Sequence, residues 1–453
     1  MKNILKITAA VLCSAVLFAG CRTKPNTAAE SGTTAPAASK GSVYFLNFKP
    51  ESDAVYQSIA DLYKNETGVD IKIVTAAAGT YETTLKSEIA KRDAPTIFQI
   101  NGPVGYANWK DYTLDLTNSK LYEHLSDKGL AVSDAGKTYG IPITVEGYGI
   151  IYNNEIMNRY FALPDPAVKS VQEITDFDKL AAVAQDMTAK KDTLGIQGVF
   201  ASTSLAPGED WRWQTHLANV PLYYEFKNNN IDLTRDVPEI TFEYNQNFKN
   251  LFDLYLDNST TDRKLLGSKT VGDSMAEFAL GQAAMVQNGN WAYSQVAEVQ
   301  GNVVKAEKIG FIPLYTGMET DTSQGICIGT ENFICVNSQA SAEDQAASID
   351  FLTRLYTSEE GKAIVTARLG FIPPFDTFSS NEMPTDPLAA QVMEWSNKTD
   401  VENVPWNFTV FPSQTFKDNF GAALLQYAQG NLSWEEVVTR VVNDWRAEKA
   451  AAV

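Results

Sequence analysis

Two stretches of the sequence place a tryptophan directly after acidic or amide residues. Trp211 follows Glu209 and Asp210, and Trp291 follows Asn290. An aromatic ring can pack against the C–H face of a pyranose, while carboxylates and amides hydrogen-bond its hydroxyls. Such mixtures suit the binding of a sugar, although the same tryptophans would also serve as plain core residues.

A third polar residue interrupts an apolar segment. Glu146 lies inside the run 141–152, which otherwise reads as a buried strand. Carboxylates are plentiful in this sequence, and their spacing singles out no catalytic pair. A glycoside hydrolase, which needs two carboxylates flanking a glycosidic bond, therefore stays open at this point.

Recognisable catalytic motifs are missing from the sequence. It has no glycine-rich dinucleotide or phosphate loop, no nucleophile elbow and no zinc-protease motif. His124 and His216 are isolated, and we interpret both as structural. With two His and four widely spaced Cys there is little material for zinc, so we predict neither a metal site nor a cofactor.

The composition is that of an acidic globular protein. The chain has 453 residues, 44% of them hydrophobic, and a net charge of −18. This length suffices for large cores and more than one domain. Nucleic acid is excluded as a partner because phosphate binding requires a basic surface.

The N-terminus predicts export and lipid anchoring. Two lysines precede an apolar run, 7–18, which is too short to cross a bilayer and typical of a signal peptide. The run leads to Cys21 in a sequence that resembles a bacterial lipobox. We assign residues 1–20 to the signal peptide and 21–40 to a flexible tether without large apolar side chains. The expected location is the outer face of the cytoplasmic membrane.

Two further cysteines, Cys327 and Cys335, lie in apolar segments joined at residues 329–331. We interpret these segments as two short strands of a hairpin. Opposed strand positions can meet disulfide geometry, so a disulfide is possible; two buried free thiols are the alternative.

The mature chain begins with alternating strands and helices. Strands are predicted at 43–46, 69–73 and 96–100, with a helix after each of the first two. This order implies a parallel sheet, which binds ligands beyond the carboxyl ends of its strands. The loops at those ends are 47–52, 76–81 and 101–106.

Several motifs resemble one protein family in the same order. Segment 141–155 resembles the hinge-crossing segment of ABC-transporter extracellular solute-binding proteins. Segment 284–292 resembles their Ala-Met-x-x-x-Gly-x-Trp-Ala run, and 361–374 resembles a late hinge. Together with the lipobox and the tether, these motifs place the chain near the carbohydrate branch that includes maltodextrin-binding proteins.

The resemblance implies roles for particular residues. Glu146 corresponds to a hinge acid that hydrogen-bonds sugar hydroxyls, and Trp291 to a ring that stacks on sugar. At residues 101–103 this chain has Asn-Gly-Pro where maltodextrin binders carry an acid and an arginine, which argues against maltose itself. The other residues assigned to the ligand are Asn47, Lys49, Glu51, Tyr81, Asn101, Glu209, Asp210, Trp211 and Asn290.

The implied fold is α/β, namely the two-lobed periplasmic-binding-protein (type II, Venus-flytrap) fold with hinge strands between the lobes. We expect lobe one at 41–147 plus 326–372 and lobe two at 148–325 plus 373–453. A sugar or oligosaccharide bound in the cleft would favour the closed state. The resemblance implies a monomeric binding protein with no catalytic residue, which delivers sugar to a separate ABC permease.

A second ligand class remains open. A polyamine or another non-sugar ligand would suit the acidic and aromatic residues of the same loops, and it would leave the fold and the transport role unchanged.

Overall fold

The structure, a computed structural model, describes residues 40–77, 79–233 and 236–451. The predicted signal peptide, the lipidation site Cys21 and residues 21–39 of the predicted tether lie outside the described residues. Within the described ranges, no helix combines the length and the apolar character needed to cross a bilayer.

The described residues form two main β-sheets and one short two-stranded sheet. Their strands are β1 Ser42–Asn47, β2 Asp70–Thr75, β3 Ile97–Ile100, β4 Val132–Asp134, β5 Lys137–Gly140, β6 Glu146–Asn153, β7 Gly198–Phe200, β8 Ala283–Gly289, β9 Ile309–Ile312, β10 Gln324–Gly329, β11 Phe333–Val336 and β12 Glu402–Pro405.

The α-helices surround these strands. They are α1 Asp53–Thr67, α2 Tyr81–Ile89, α3 Gly102–Trp109, α4 Lys120–Glu123, α5 Asn154–Phe161, α6 Phe177–Ala189, α7 Lys191–Leu194, α8 Ala218–Asn228, α9 Asn245–Asp257, α10 Val271–Ala279, α11 Ala292–Ala297, α12 Ala342–Thr357, α13 Glu359–Ala363, α14 Pro387–Ser396, α15 Gln414–Ala428 and α16 Trp434–Ala451. Two segments, Arg212–Leu217 and Ile364–Arg368, are π-helical.

The first sheet has the order β11-β3-β1-β2. β1 is parallel to both β2 and β3, as the predicted β-α-β-α-β order requires, and β11 runs antiparallel to β3. α1 buries Tyr56, Ile59 and Tyr63 and ends at Gly68, whose φ of 69° is the left-handed conformation that glycine adopts without strain. We call this sheet with its helices the first lobe.

The second sheet has the order β12-β10-β6-β8-β7, with β9 also paired to β6. β6 is its central strand, and residues 146–151 of it are all buried. A large hydrophobic cluster joins one face of this sheet to the C-terminal helices, and another cluster lies under α10, α11 and α14. We call this assembly the second lobe. The fold is thus the expected two-lobed α/β architecture.

The predicted hairpin of the two cysteine strands is wrong. β10 pairs with β6 and β12 in the second sheet, whereas β11 pairs with β3 in the first sheet. Cys327 and Cys335 consequently pack in the cores of different lobes, and both are free, buried thiols. The chain crosses between lobes at residues 330–332, where a hairpin turn was expected.

We propose lobe boundaries from these pairings. Ile141 bridges to Ile334 in the first lobe, and Glu146 pairs with Gly329 in the second, so two crossings lie side by side. The third follows Met383, which still packs against the cluster of the first lobe. Residues 326–329 and 373–383 thereby change lobes relative to the sequence expectation.

Candidate ligand-binding site

The loops after β1, β2 and β3 face the second lobe. Lys49, in the first loop, lies 2.8 Å from Glu146 at the start of β6 and 5.7 Å from the ring centroid of Trp291. In the second loop, the backbone of Gly79 comes so close to Gly208 that a Cβ at Gly79 would lie 3.1 Å from Gly208 Cα. The described structure is therefore a closed cleft with both lobes in contact.

Asn47 shapes the first loop. Its amide nitrogen donates to Lys49 O at 2.8 Å and to Thr75 Oγ1 at 3.1 Å, and its side-chain oxygen accepts from Lys49 N at 3.2 Å. The side chain is fully buried. Asn47 thus fixes the loop that carries Lys49, which is an indirect role in the site.

Lys49 is a buried cation among carboxylates. Besides Glu146, its Nζ lies 3.7 Å from Glu51. Burial by itself lowers the pKa of Lys49, but the negative charges of Glu146, Glu51 and Glu331 outweigh it and raise that pKa. Burial also raises the pKa of Glu146, against the opposing charge of Lys49.

Tyr81 is a positioning residue between strands. Its hydroxyl donates to Leu46 O at 3.2 Å and accepts from Gln99 N at 2.7 Å, so it ties β1 to β3. The ring packs edge-on against Phe48, and the side chain is buried. Both bonds are internal, so this hydroxyl helps to position the strands from which the loops of the site emerge.

Asn101 follows β3 and precedes α3. Its side chain does not cap the helix, and its Oδ1 is buried without a hydrogen-bond partner among the described residues. The neighbouring Gly102 packs against Thr409 of the second lobe. Asn101 therefore lies where the lobes meet and has an acceptor to offer.

The two neighbouring acids of the second lobe, Glu209 and Asp210, have different surroundings. Glu209 Oε2 accepts from Val271 N at the start of α10, at 2.9 Å, and so anchors its loop. Asp210 is 4% exposed, and its Oδ1 has no partner among the described residues. Burial raises the pKa of Asp210 to about 7, with a further rise from the charge of Asp418.

Trp211 and Trp291 are half-buried neighbours, with ring centroids 6.2 Å apart. Asn290 holds the second ring in place: its Oδ1 accepts from Gly147 N at 2.9 Å, and its own backbone N donates to Gly147 O. Trp291 folds back over Gly289, where a Cβ would lie 2.1 Å from the ring. These contacts leave part of each indole available in the cleft.

The π-helical turn after Trp211 carries His216 into the aromatic cluster. His216 stacks on Tyr148 at 4.1 Å and 6°, and its centroid lies 5.0 Å from that of Trp211. Burial lowers the pKa of His216 well below its usual value, so the ring is neutral. Arg212 on the same turn is fully buried and donates to Gln287 O and to two serine hydroxyls, which fixes the turn.

Sequence reasoning missed several residues near this junction. They are Glu331, Asn332, Trp406, Asn407 and Lys417. Trp406 next to Asn407 repeats the aromatic–amide pairing that singled out Trp291, so it could have been found. Glu331 and Lys417 carried no such signal because only the fold brings them near Lys49 and Glu82.

The assembled site contains indole rings, amides, carboxylates and two lysines around the junction of the lobes. In the described ranges, no group of three or more His, Cys, Asp and Glu side chains could hold a metal ion. Such a set can stack on an apolar face and exchange hydrogen bonds with hydroxyl or ammonium groups.

Comparison with known proteins identifies relatives. The family model described as bacterial extracellular solute-binding protein matches residues 58–391. The melibiose/raffinose/stachyose-binding protein MelE of Bacillus subtilis (strain 168) is 25% identical over 162 residues, which span 34% of this chain and 38% of MelE. The match therefore covers less than half of that relative.

Similar solved structures extend over most of the chain. A chitin oligosaccharide binding protein superposes with a TM-score of 0.70 at 19% identity, covering 90% of this chain and 99% of the other. A sugar transporter from Bacillus licheniformis in complex with stachyose gives 0.62 at 18% identity, covering 89% and 100%. These likenesses confirm the two-lobed periplasmic-binding fold.

Proposed function

This chain belongs to the bacterial extracellular solute-binding protein family, and we propose that it captures a sugar or oligosaccharide for an ABC importer. The observation that carries this proposal is the pair of half-buried indoles, Trp211 and Trp291, beside Glu146 and Lys49 at the junction of the lobes. The sugars in the names of MelE and of the structural relatives agree with it.

Closure follows from where these residues lie. Lys49 belongs to the first lobe, Trp211 and Trp291 to the second, and Glu146 begins the strand that leaves the crossing. A ligand that contacts all of them binds the closed arrangement more tightly than an open one, so it shifts the equilibrium toward closure. The closed form would then dock on a membrane permease, and the permease and its ATPase would be separate chains.

We further propose that Cys21 carries the lipid that holds the monomeric protein on the outer face of the cytoplasmic membrane. A single lipidated Cys with a tether keeps the binding body close to the permease. The test is Cys21→Ser in the producing cell: we expect loss of labelled-lipid incorporation and release into the medium. A variant that stays in the membrane fraction would refute the anchor.

No bond chemistry is proposed for the site. The family consists of binding proteins, and we expect the ligand to leave the cleft unchanged. Incubating the protein with any oligosaccharide it binds and analysing the products by mass spectrometry checks this. Stoichiometric recovery supports a binding role, whereas turnover would instead identify a glycoside hydrolase.

The central experiment is a thermal-shift screen with mono- and oligosaccharides, including raffinose-type, chitin-derived and maltodextrin sugars, and polyamines. Ligand at about 100 times its dissociation constant adds about 2.7 kcal/mol of stability. We expect a shift with one sugar class that Trp291→Ala abolishes and Trp395→Ala, on α14, preserves. A thermal shift with polyamines alone would overturn the proposal that the ligand is a sugar.

A cationic ligand is the second candidate because of the charges around Lys49. Three carboxylates, Glu51, Glu146 and Glu331, interact electrostatically with Lys49. The other cation in this region is Lys417, which interacts with Glu331. This acidic excess would suit an ammonium group. The polyamine arm of the screen tests that reading directly.

A further inference from the structure

Four side chains at the junction of the lobes carry buried polar atoms without a hydrogen-bond partner among the described residues. These atoms are Asn101 Oδ1, Asn332 Nδ2, Trp406 Nε1, and both Nδ2 and Oδ1 of Asn407. Buried polar groups in folded proteins are nearly always paired, and an unpaired one costs free energy. A partner from the cleft is therefore expected for them.

Asn101 and Asn332 come from neighbouring strands of the first lobe. Phe333 in β11 pairs with Ile100 in β3, so Asn332, one residue before, and Asn101, one residue after, occupy the next position across the antiparallel ladder. Asn332 is 2% exposed and has a φ of 57°. Its backbone carbonyl accepts from Gln99 Nε2 at 3.2 Å. Its side-chain amide opposes the rise that burial causes in the pKa of the neighbouring Glu331, yet Nδ2 has no hydrogen-bond partner of good geometry among the described residues.

Trp406 and Asn407 come from the end of β12 in the second lobe. Trp406 packs closely on Gly329, where a Cβ would be 2.4 Å from its Cγ, and its ring stands at 87° to that of Trp291 with centroids 6.4 Å apart. Asn219 clamps the segment on both sides, because it donates to Pro405 O at 3.0 Å and accepts from Asn407 N at 2.7 Å. The backbone of this segment is thus held in place, while the polar atoms of the two side chains stay unpartnered.

The two pairs approach each other from opposite lobes. Gly102 follows Asn101 directly and packs against Thr409, two residues after Asn407. Glu331, next to Asn332, interacts electrostatically with Lys417 of the second lobe. An occupant of this region touches both lobes at once.

We propose that Asn101, Asn332, Trp406 and Asn407 form a subsite, the amide subsite, which binds one uncharged, hydroxyl-bearing unit of the ligand next to Trp291. The inference rests on the proposed sugar-binding function and names the chemistry that selects the ligand. The four side chains bear no charge, and together they offer N–H donors and carbonyl acceptors. A hydroxyl group donates and accepts, so it can satisfy both.

The same set disfavours a cation. An ammonium group donates hydrogen bonds and has no acceptor. Trp406 Nε1–H can only donate, whichever way the neighbouring amides are turned, so a polyamine would leave this buried donor unpaired. The amide subsite therefore selects a neutral polyhydroxylated unit over a polyamine, although the carboxylates around Lys49 would tolerate either.

The test is Trp406→Phe, which removes the indole N–H and keeps an aromatic ring over Gly329. With the sugar that gives the largest thermal shift, we expect titration calorimetry to show roughly tenfold weaker binding, the size of one lost hydrogen bond in a buried site. Asn407→Leu should weaken binding at least as much. The matched control is Trp395→Phe, whose ring is covered by Lys398, and it should bind as the wild type does.

A second readout separates binding from a structural role. Trp406→Phe also removes buried apolar contacts, so its melting temperature should fall whatever the role of Nε1. The Asn407 amide has no partner in the protein, so Asn407→Leu, which keeps the size of the side chain, should leave the melting temperature of the ligand-free protein unchanged or higher. A structural role would instead lower it. If Asn407→Leu fails to fold, its amide has a structural role, and Trp406→Phe carries the test alone.

The outcomes distinguish the two proposals. Sugar binding by the wild type with unaltered affinity in Trp406→Phe and Asn407→Leu would overturn the amide subsite and leave the sugar-binding function standing. Absence of sugar binding by the wild type, with polyamine binding in its place, would overturn the proposed function and the subsite with it.

Discussion

Lys49 Nζ lies 2.8 Å from Glu146 Oε1, and this ion pair is buried at the point where the two lobes meet. Lys49 belongs to the loop after the first strand, and Glu146 opens the central strand of the other sheet. The pair therefore joins the ligand-facing edge of one lobe to the chain crossing into the other. We therefore expect the loss of this ion pair to change both the closure of the cleft and the stability of the protein.

We predict that Lys49→Met and Glu146→Leu each destabilise the ligand-free protein. Lys49→Met leaves the buried charge of Glu146 without its partner, which costs about 3–5 kcal/mol. Glu146→Leu should cost less, because Lys49 keeps Glu51 at 3.7 Å. The double variant should recover most of this loss, because two apolar side chains replace the pair, yet it should not regain ligand affinity. Urea denaturation measures the stabilities. Additive losses in the double variant would mean that the two charges do not interact.

Gly289→Ala should weaken ligand binding without unfolding the second lobe. The added Cβ would lie 2.1 Å from the ring of Trp291, so that indole must leave its position. We expect a loss of about 2 kcal/mol, roughly thirtyfold in affinity, typical of a displaced aromatic contact residue. Calorimetric titration gives the affinity. Gly272→Ala in α10, where a Cβ meets its nearest neighbour at 3.6 Å, is the control and should bind normally.

Asp210 should make the ligand-free protein more stable at mildly acidic pH. Its pKa is raised to about 7 by burial, above the roughly 3.9 of an unfolded chain, so between those values the folded state holds the extra proton. Its contribution to stability is therefore present below pH 4 and is lost as the pH rises through 7.

Denaturant midpoints measured from pH 5 to pH 8 check this expectation. The unfolding free energy should fall across the range, and Asp210→Asn should flatten the fall. Asp400→Asn, at an exposed acid, should leave the slope unchanged. A slope that Asp210→Asn leaves intact would assign it to another group.

Reductant should not change the melting temperature. Cys327 and Cys335 are free thiols in the cores of different lobes, and burial raises the pKa of Cys327 to about 12, so it is also unreactive in the native state. After denaturation without reductant, iodoacetamide should alkylate both, as peptide mass mapping would reveal. A disulfide-linked peptide carrying both residues would contradict the structure.

The sequence determined the local elements and the class of the site. The run Val43–Leu46, the alternation of Val69, Ile71 and Ile73, and Gly68 as a helix stop each follow from short-range rules, and they led to the parallel sheet of the first lobe. Trp211 and Trp291 beside acids and amides predicted the binding chemistry. These signals could be read because they depend on residues adjacent in the chain.

The tertiary structure alone decided which side chains are free to bind. Asn47 and Tyr81 lie in the expected loops, yet their polar groups are paired within the protein. The tertiary structure also separates Cys327 from Cys335, because their strands, β10 and β11, pair in different sheets. It brought Asn101, Asn332 and Asn407 to one junction from distant parts of the chain. Strand pairing and the packing of one lobe on the other are long-range choices, and no local pattern encodes which polar atom is left without a partner when they are complete.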